Sequence, residues 1–531
     1  MTFSVAVSLY DKRRYMCAYK RMVTIVDMQH YRMNRMTGIG LLIAFLLLAG
    51  GMLRAAAQQT DKPNIVFILA DDLGYGSIGA FGQQLIQTPN LDRLAQNGMV
   101  LTDFYANAVC APTRGSLITG MHTGDGLVRG NMELGTFDNA EEFGQLPLPA
   151  NILTMGTTLQ AAGYTTAIIG KWGLGGPGST GEPHRQGFDF FYGYLDQKQA
   201  HNYYPDHLWR NGVRESLPGA LASAHQKLPE GADPNDPATY ERYRGSIYSC
   251  DTMTAEAVRF IRNHRDRPFF LEMAYTLPHM ALQVPERALT PYRGKFDKKP
   301  FTGPGYLPNR TPRETYAAMI TLLDDYVGQL VQALEENGLI NNTLIVFTSD
   351  NGAATGGGAD PDFFDASGGL RGRKGSLHEG GIRVPFVAAW PGKIPAGSRS
   401  DHPLAIWDLL PTFLDAGGSA VPQGINGISF WPVLSGNPAL QQGRTFLYWE
   451  FMERSGEQAV RFGRWKAIRK DMRVHKWDSP IELYDLQTDR AEQHNVAARY
   501  PELVRRAAQY LATRKRADLP AWNPDTPENL L

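Results

Sequence analysis

Two short apolar runs, far apart in the chain, end in the same way. Asn64-Ile65-Val66-Phe67-Ile68-Leu69-Ala70 runs into Asp71-Asp72, and Thr343-Leu344-Ile345-Val346-Phe347-Thr348 runs through Ser349 into Asp350-Asn351-Gly352. Continuous apolar runs of this length, rich in β-branched residues, suit strands buried on both faces, as in a parallel sheet. Runs at 165–169 and 269–275 have the same character. Helical patterns lie between them at 90–97, 153–162, 253–263 and 314–336, and two of these stop at Gly163 and at Asn337-Gly338. Strands alternating with helices predict an α/β fold with a large, mostly parallel sheet flanked by helices.

After Trp431 the pattern changes. Three strand-like runs at 445–451, 458–469 and 481–486, then a helix over 501–514, predict a smaller C-terminal α+β domain with an antiparallel sheet. The expected division is a catalytic domain over 58–435 and this smaller domain over 436–531.

Composition narrows the function classes. With 531 residues, 43% of them hydrophobic, the chain can bury enough surface to offset its ordering entropy. Lys plus Arg equals Asp plus Glu at 53 each, which removes the bulk electrostatic case for a nucleic-acid partner. Three cysteines and no C-x-x-C give neither a disulfide framework nor a zinc signature.

Residues 39–49 form a short apolar run after Arg32 and Arg35, followed by Arg54-Ala55-Ala56-Ala57. This reads as a signal peptide over 36–57 cleaved after Ala57, with 1–35 an over-called start, and it predicts a secreted or periplasmic protein. The run is shorter than the roughly 20 apolar residues a spanning helix needs, so no stable membrane span is expected after cleavage. Residues 1–57 hold eight Lys plus Arg and two Asp plus Glu, which leaves 45 against 51 in the remainder, a formal charge of −6.

Ligands in open α/β sheets bind outside the carboxyl ends of strands, so Asp71, Asp72, Asp350 and Asn351 are candidates to share one crevice. Three carboxylates and an amide are hard oxygen donors, the set that Ca²⁺ or Mg²⁺ takes. A second cluster is Cys110-Ala111-Pro112-Thr113-Arg114-Gly115. Pro112 is expected to start a helix, leaving Cys110 at or just before its N-terminus, where free N–H groups and the dipole favour an anion. Arg114 adds a guanidinium suited to an oxyanion.

The C-x-P-x-R-G pattern, with Asp-Asp after an upstream strand, resembles the signature of type I sulfatases in the alkaline phosphatase superfamily, over nearly all of residues 62–515. The resemblance implies an alkaline phosphatase-like fold, conversion of Cys110 to Cα-formylglycine by a formylglycine-generating or sulfatase-maturing enzyme, and hydration of the aldehyde to a geminal diol. It also implies a Ca²⁺ site, with Mg²⁺ as the second option, made by Asp71, Asp72, Asp350, Asn351 and the modified residue 110.

Further positions follow from the same resemblance. Gly170-Lys171-Trp172 matches the G-K-W segment and makes Lys171 a sulfate contact, and Pro278-His279 matches a segment whose histidine lies near the leaving-group oxygen. Arg371 to Pro385 resembles the G-x-K-x…E-G-G-x-R-V-P stretch, which makes Lys374 the second sulfate lysine, while Glu379 to Pro385 are read as structural. Most relatives have histidine after G-K-W, and here Gly173 stands instead; His201, in Ala200-His201-Asn202-Tyr203-Tyr204-Pro205, is the candidate replacement. The Gly-rich loop and this run resemble bacterial polysaccharide sulfatases, so a sulfated saccharide is the expected substrate, with Trp172, His201, Tyr203, Tyr204, His207 and Trp209 as candidate sugar contacts. A phosphate or phosphonate ester hydrolase of the same superfamily and a catalytically inactive carbohydrate-binding relative remain open alternatives.

Overall fold

The computed structural model describes residues 62–131, 142, 144–221, 223–297, 299–303, 305–514 and 522–525; the expected leader, its cleavage point and Cys17 lie outside them. Ten strands form the main sheet, in the order Ser398–Ser400, Met99–Leu101, Phe386–Ala389, Thr343–Ser349, Asn64–Ala70, Phe269–Ala274, Thr165–Lys171, Phe190–Tyr194, His207–Arg210 and Val213–Ser216. The five from Thr343–Ser349 to Phe190–Tyr194 are all parallel to one another. Antiparallel pairings enter only toward the two edges.

The continuous apolar runs are explained by burial on both faces. Val66, Ile68 and Ala70 point into one core with the helices Pro89–Gln96, Ser249–Asn263 and Pro312–Glu336. Ile65, Phe67 and Leu69 point into the other, beneath Cys110–Thr119, Met155–Ala161 and Leu409–Ala416. All five side chains from Ile65 to Leu69 are fully buried, and each contributes about 1.5–3 kcal/mol of transfer free energy.

Four antiparallel strands, Leu447–Phe451, Glu457–Phe462, Trp465–Arg469 and Ile481–Asp485, make the smaller sheet. The run expected as one strand over 458–469 is therefore two. Phe462 pairs with Trp465 across a tight hairpin whose Gly463 has φ 55°, a conformation that glycine adopts without a Cβ penalty. Tyr448, Val460 and Phe462 face the helix Pro501–Leu511, whereas Trp449, Ala459 and Ile468 join the core of the main sheet. No helix among the described residues is long and apolar enough to cross a membrane.

Candidate active site

The four central strands deliver their chemistry at one edge. Asp71-Asp72 follow Asn64–Ala70, Asp350-Asn351 follow Thr343–Ser349, Lys171 closes Thr165–Lys171, and the segment from Tyr275 to His279 leaves Phe269–Ala274. Register explains the convergence: Ala70 is level with Ser349 and Gly170 with Ala274. Gly170 has φ 122°, and a Cβ there would lie 1.9 Å from the Ala274 carbonyl oxygen, so only glycine lets the strands approach this closely before Lys171 turns inward.

The helix Cys110–Thr119 begins two residues earlier than expected. Pro112 is its third residue, which costs little because the first-turn N–H groups have no intrahelical acceptor. The entry loop is fixed by Asn107, whose backbone N–H donates to Thr113 Oγ1 at 2.9 Å and whose Nδ2 donates to the Pro112 carbonyl and Ser116 Oγ. Thr113 Oγ1 in turn donates to the Asp350 carbonyl at 2.6 Å, binding the helix to the sheet edge.

Cys110 Sγ sits 3.3 Å from Asp71 Oδ1 and 3.2 Å from Lys374 Nζ. Lys171 Nζ meets Asp71 Oδ2 at 2.6 Å, and Lys374 Nζ meets Asp72 Oδ1 at 2.7 Å. Arg114 donates to the Lys171 carbonyl at 2.7 Å and to Asp350 Oδ2 at 3.0 Å, and lies 3.5 Å from Asp71. Lys374 is the most open of the three cations, 16% exposed against 1% for Lys171 and 2% for Arg114.

Burial pushes the Asp71 carboxyl up, but Lys171, His279, Arg114 and Lys374 together hold it well below the usual range. Asp350 goes the other way, to about 7, because burial and the neighbouring Asp71 outweigh Arg114. Burial, then Asp350 and Asp71, raise the Cys110 thiol well above its ordinary value, so the unmodified thiol is a poor nucleophile.

The donor set fits a hard cation. Asp72 Oδ2 and Asn351 Oδ1 are buried without a hydrogen-bond partner, a costly state for oxygens that face a cluster of carboxylates. Ligand atoms of Asp71, Asp72, Cys110 and His279 lie within 4.8 Å of one another, and Asp350 Oδ1 ties the turn together by accepting from the Asp72 N–H at 3.1 Å.

His279 Nε2 is 3.5 Å from Asp72 Oδ2, and its Nδ1 bonds the Met280 carbonyl, which places the ring hydrogen on Nδ1. Burial lowers its pKa to about 4, against the upward pull of Asp72. His201 reaches this place: its ring stacks on His279, centroids 4.5 Å apart and planes 17° apart. His201 Nδ1 lies 3.1 Å from Nε2 of His225, which no local sequence pattern had marked.

At Gly173 (φ 74°) a Cβ would lie 2.7 Å from Gln197 Cγ. The buried Gln197 carboxamide therefore fills the space next to this position, and neither of its polar atoms has a partner.

The sulfatase family model matches residues 63–419, and a model for the C-terminal region of N-sulphoglucosamine sulphohydrolase matches 373–516. The chain belongs to the sulfatase family. This sulfatase is 33% identical to human arylsulfatase A over 89% of its own length and 91% of the relative's. It is 30% identical to mouse N-acetylgalactosamine-6-sulfatase, covering 86% of this chain and 80% of that one. Among solved structures it resembles Ps i-CgsB in complex with k-i-k-neocarrahexaose: TM-score 0.69, 29% identity, 88% of this chain and 96% of the other. It is a sulfuric ester hydrolase.

Packing bears on two further readings of the sulfatase sequence. Glu379, in the buried turn Glu379–Ile382, is held by Arg383 and by Lys466 of the smaller sheet, as expected of a structural stretch. Several candidate sugar contacts are committed elsewhere. Trp172 is buried with Nε1 donating to the Gly181 carbonyl, and Tyr203 is buried with its hydroxyl on the Thr276 and His279 carbonyls. His207 Nε2 and Trp209 Nε1 both turn to Glu142. Tyr203 thus supports the His279 loop from behind instead of offering a face to a sugar.

Proposed function

We propose that this chain removes sulfate from a sulfated saccharide through a Cα-formylglycine made from Cys110. A Ca²⁺ ion, or Mg²⁺ in its place, is held by Asp71, Asp72, Asp350, Asn351 and residue 110, in a secreted or periplasmic protein. The observation that carries this reading is the seat of Cys110: first residue of a helix, between Asp71 and Lys374, beside two buried oxygens with no partner.

A cation held there would supply positive charge to the sulfuryl group and would acidify an oxygen nucleophile. Residue 110, if converted to formylglycine and hydrated, would supply that oxygen together with a second hydroxyl. Arg114, Lys171 and Lys374 bind and orient the anion; held in place before the reaction, they stabilise charge with little reorganisation. His279, hydrogen-bonded through Nδ1, keeps Nε2 for the leaving-group proton. An anionic ester beside the ring favours its charged form and so opposes the burial that depresses its pKa. His201 supports the His279 ring by stacking and is our candidate for the histidine absent at Gly173.

The saccharide assignment draws support from the names of two relatives, one an N-acetylgalactosamine-6-sulfatase and the other solved with k-i-k-neocarrahexaose. A galactose or N-acetylgalactosamine sulfate is the first substrate class to assay. The decisive experiment pairs turnover of 4-nitrophenyl sulfate and 4-nitrophenyl phosphate with the mass of the Cys110 peptide. Faster sulfate turnover, with a peptide that has lost H₂S and gained oxygen, is the expected result. Faster phosphate turnover overturns the reaction, and binding of sulfated sugars without turnover by fully modified protein identifies an inactive relative.

A further inference from the structure

Glu272 is a buried carboxyl to which the chemistry above gives no role. It lies within the strand Phe269–Ala274, level with Phe67 on one side and Ile168 on the other, and is 2% exposed. Phe67, Ile168 and Phe270 belong to the core under the helix Cys110–Thr119, together with Ala111, Leu117 and Ile118 of that helix. Glu272 Oε2 has no hydrogen-bond partner. An apolar side chain would serve the sheet better, because an unpaired buried carboxyl is costly.

Arg114 descends from the helix above the same sheet. Its two terminal nitrogens are committed to the Lys171 carbonyl and to Asp350, while its Nε–H, also buried, has no partner. Burial raises the Glu272 carboxyl to about 7, and Arg114 is the charged group that draws it back down. A donor and an acceptor, both orphaned and each within the other's field, make a matched pair that one trapped water can complete.

We infer that Glu272 is a positioning residue for Arg114: a buried water between Arg114 Nε–H and Glu272 Oε2 ties the guanidinium to the sheet and aims its outer edge at the sulfuryl oxygens. This rests on Arg114 binding the anion, as set out under the proposed function. Fold stability is spent on a charge that only the reaction uses.

The test compares wild type with Glu272→Leu and Glu272→Met, each alone and combined with Arg114→Lys, which has no Nε–H. Melting temperature, kcat and KM for 4-nitrophenyl sulfate, and calorimetric binding of inorganic sulfate are measured on protein of known formylglycine content. The expected result is an unchanged or higher melting temperature with kcat/KM lower by about 10–100-fold, weaker sulfate binding, and no further loss when Arg114→Lys is already present. Unchanged kcat/KM and sulfate affinity, or losses that simply multiply with Arg114→Lys, overturn it. If the leucine variant fails to fold, the unbranched methionine variant decides by the same cycle. Turnover of phosphate in preference to sulfate overturns the assigned reaction but leaves the coupling readable on that ester.

Discussion

Two buried clusters in this molecule hold the same formal charges, three carboxylates and three cations, and differ in what is left unpaired. In the first, Asp71, Asp72 and Asp350 face Lys171, Lys374 and Arg114. In the second, Glu379, Glu492 and Asp103 face Arg383, Lys466 and Arg461 between the main sheet and the smaller one. Each carboxylate of the second has several partners: Glu379 alone takes Lys466, Arg383 and the Tyr105 hydroxyl. The first leaves Asp72 Oδ2 and Asn351 Oδ1 without a hydrogen bond and presses Asp350 toward neutrality, whereas the one such carboxylate oxygen of the second, Glu492 Oε1, has Lys466 Nζ at 3.1 Å; each cluster also leaves one guanidinium Nε without a bond, on Arg114 and on Arg461. In the second cluster every carboxylate is met by cations and the network ties the two sheets together; in the first, two buried oxygens have no donor, which is what the proposed cation and anion would use.

This contrast predicts a dissociation between activity and stability. Cys110→Ala should abolish turnover, by about 10⁴-fold or more in kcat, with a melting temperature close to wild type; substantial residual sulfatase activity would break the assignment. Glu379→Gln should do the reverse, costing about 3–5 kcal/mol because buried cations lose their counter-charge, while kcat per folded molecule, from active-site titration, stays near wild type. Lys374→Ala should lower kcat/KM by about 10²–10³-fold, the effect of removing one preorganised donor, with little loss in urea denaturation.

The pH profile sharpens the difference. Burial pushes the Glu379 carboxyl up, yet Arg383, Lys466 and Arg461 hold it far below the usual range. Its stabilising contribution is complete above the unfolded value of about 4.3 and is lost as pH falls below that. Melting temperatures between pH 5 and pH 3 should therefore drop more steeply in wild type than in Glu379→Gln. The smallest effect is expected at Gly173→Ala, about 1–3 kcal/mol from the contact with Gln197 and the positive φ; a stabilised variant would show that Gln197 moves freely.

How much of this was legible in the chain depends on how local the signal was. Asp71, Asp72, Asp350 and Asn351 were visible because a buried parallel strand writes itself as an unbroken apolar run, and its end marks the sheet edge. The hairpin at Gly463 was missed because Gln458 to Arg469 reads as one run until the turn glycine is weighed. His225 and Gln197 carry no periodicity or spacing, and long-range packing alone brings them to the site. Glu272 left a mark as well, a lone charge in Phe269-Phe270-Leu271-Glu272-Met273-Ala274, but the run reads as a buried apolar strand and the charge in it was passed over. Several aromatics that looked like sugar contacts were large side chains that the core needed.

The seat of Cys110 has a consequence in time. Its thiol is 1% exposed and contacts Lys374, 264 residues further along the chain. At about 5–20 residues per second of synthesis, the lysine follows the cysteine by about 13–50 s. Until then the pocket has no far wall, and the cysteine segment is a stretch of nascent chain that the proposed maturing enzyme could reach. Once Lys374 and the strands behind it arrive, the same residue is sealed in; if Cys110 is converted as proposed, the order of synthesis sets the interval in which that conversion can happen.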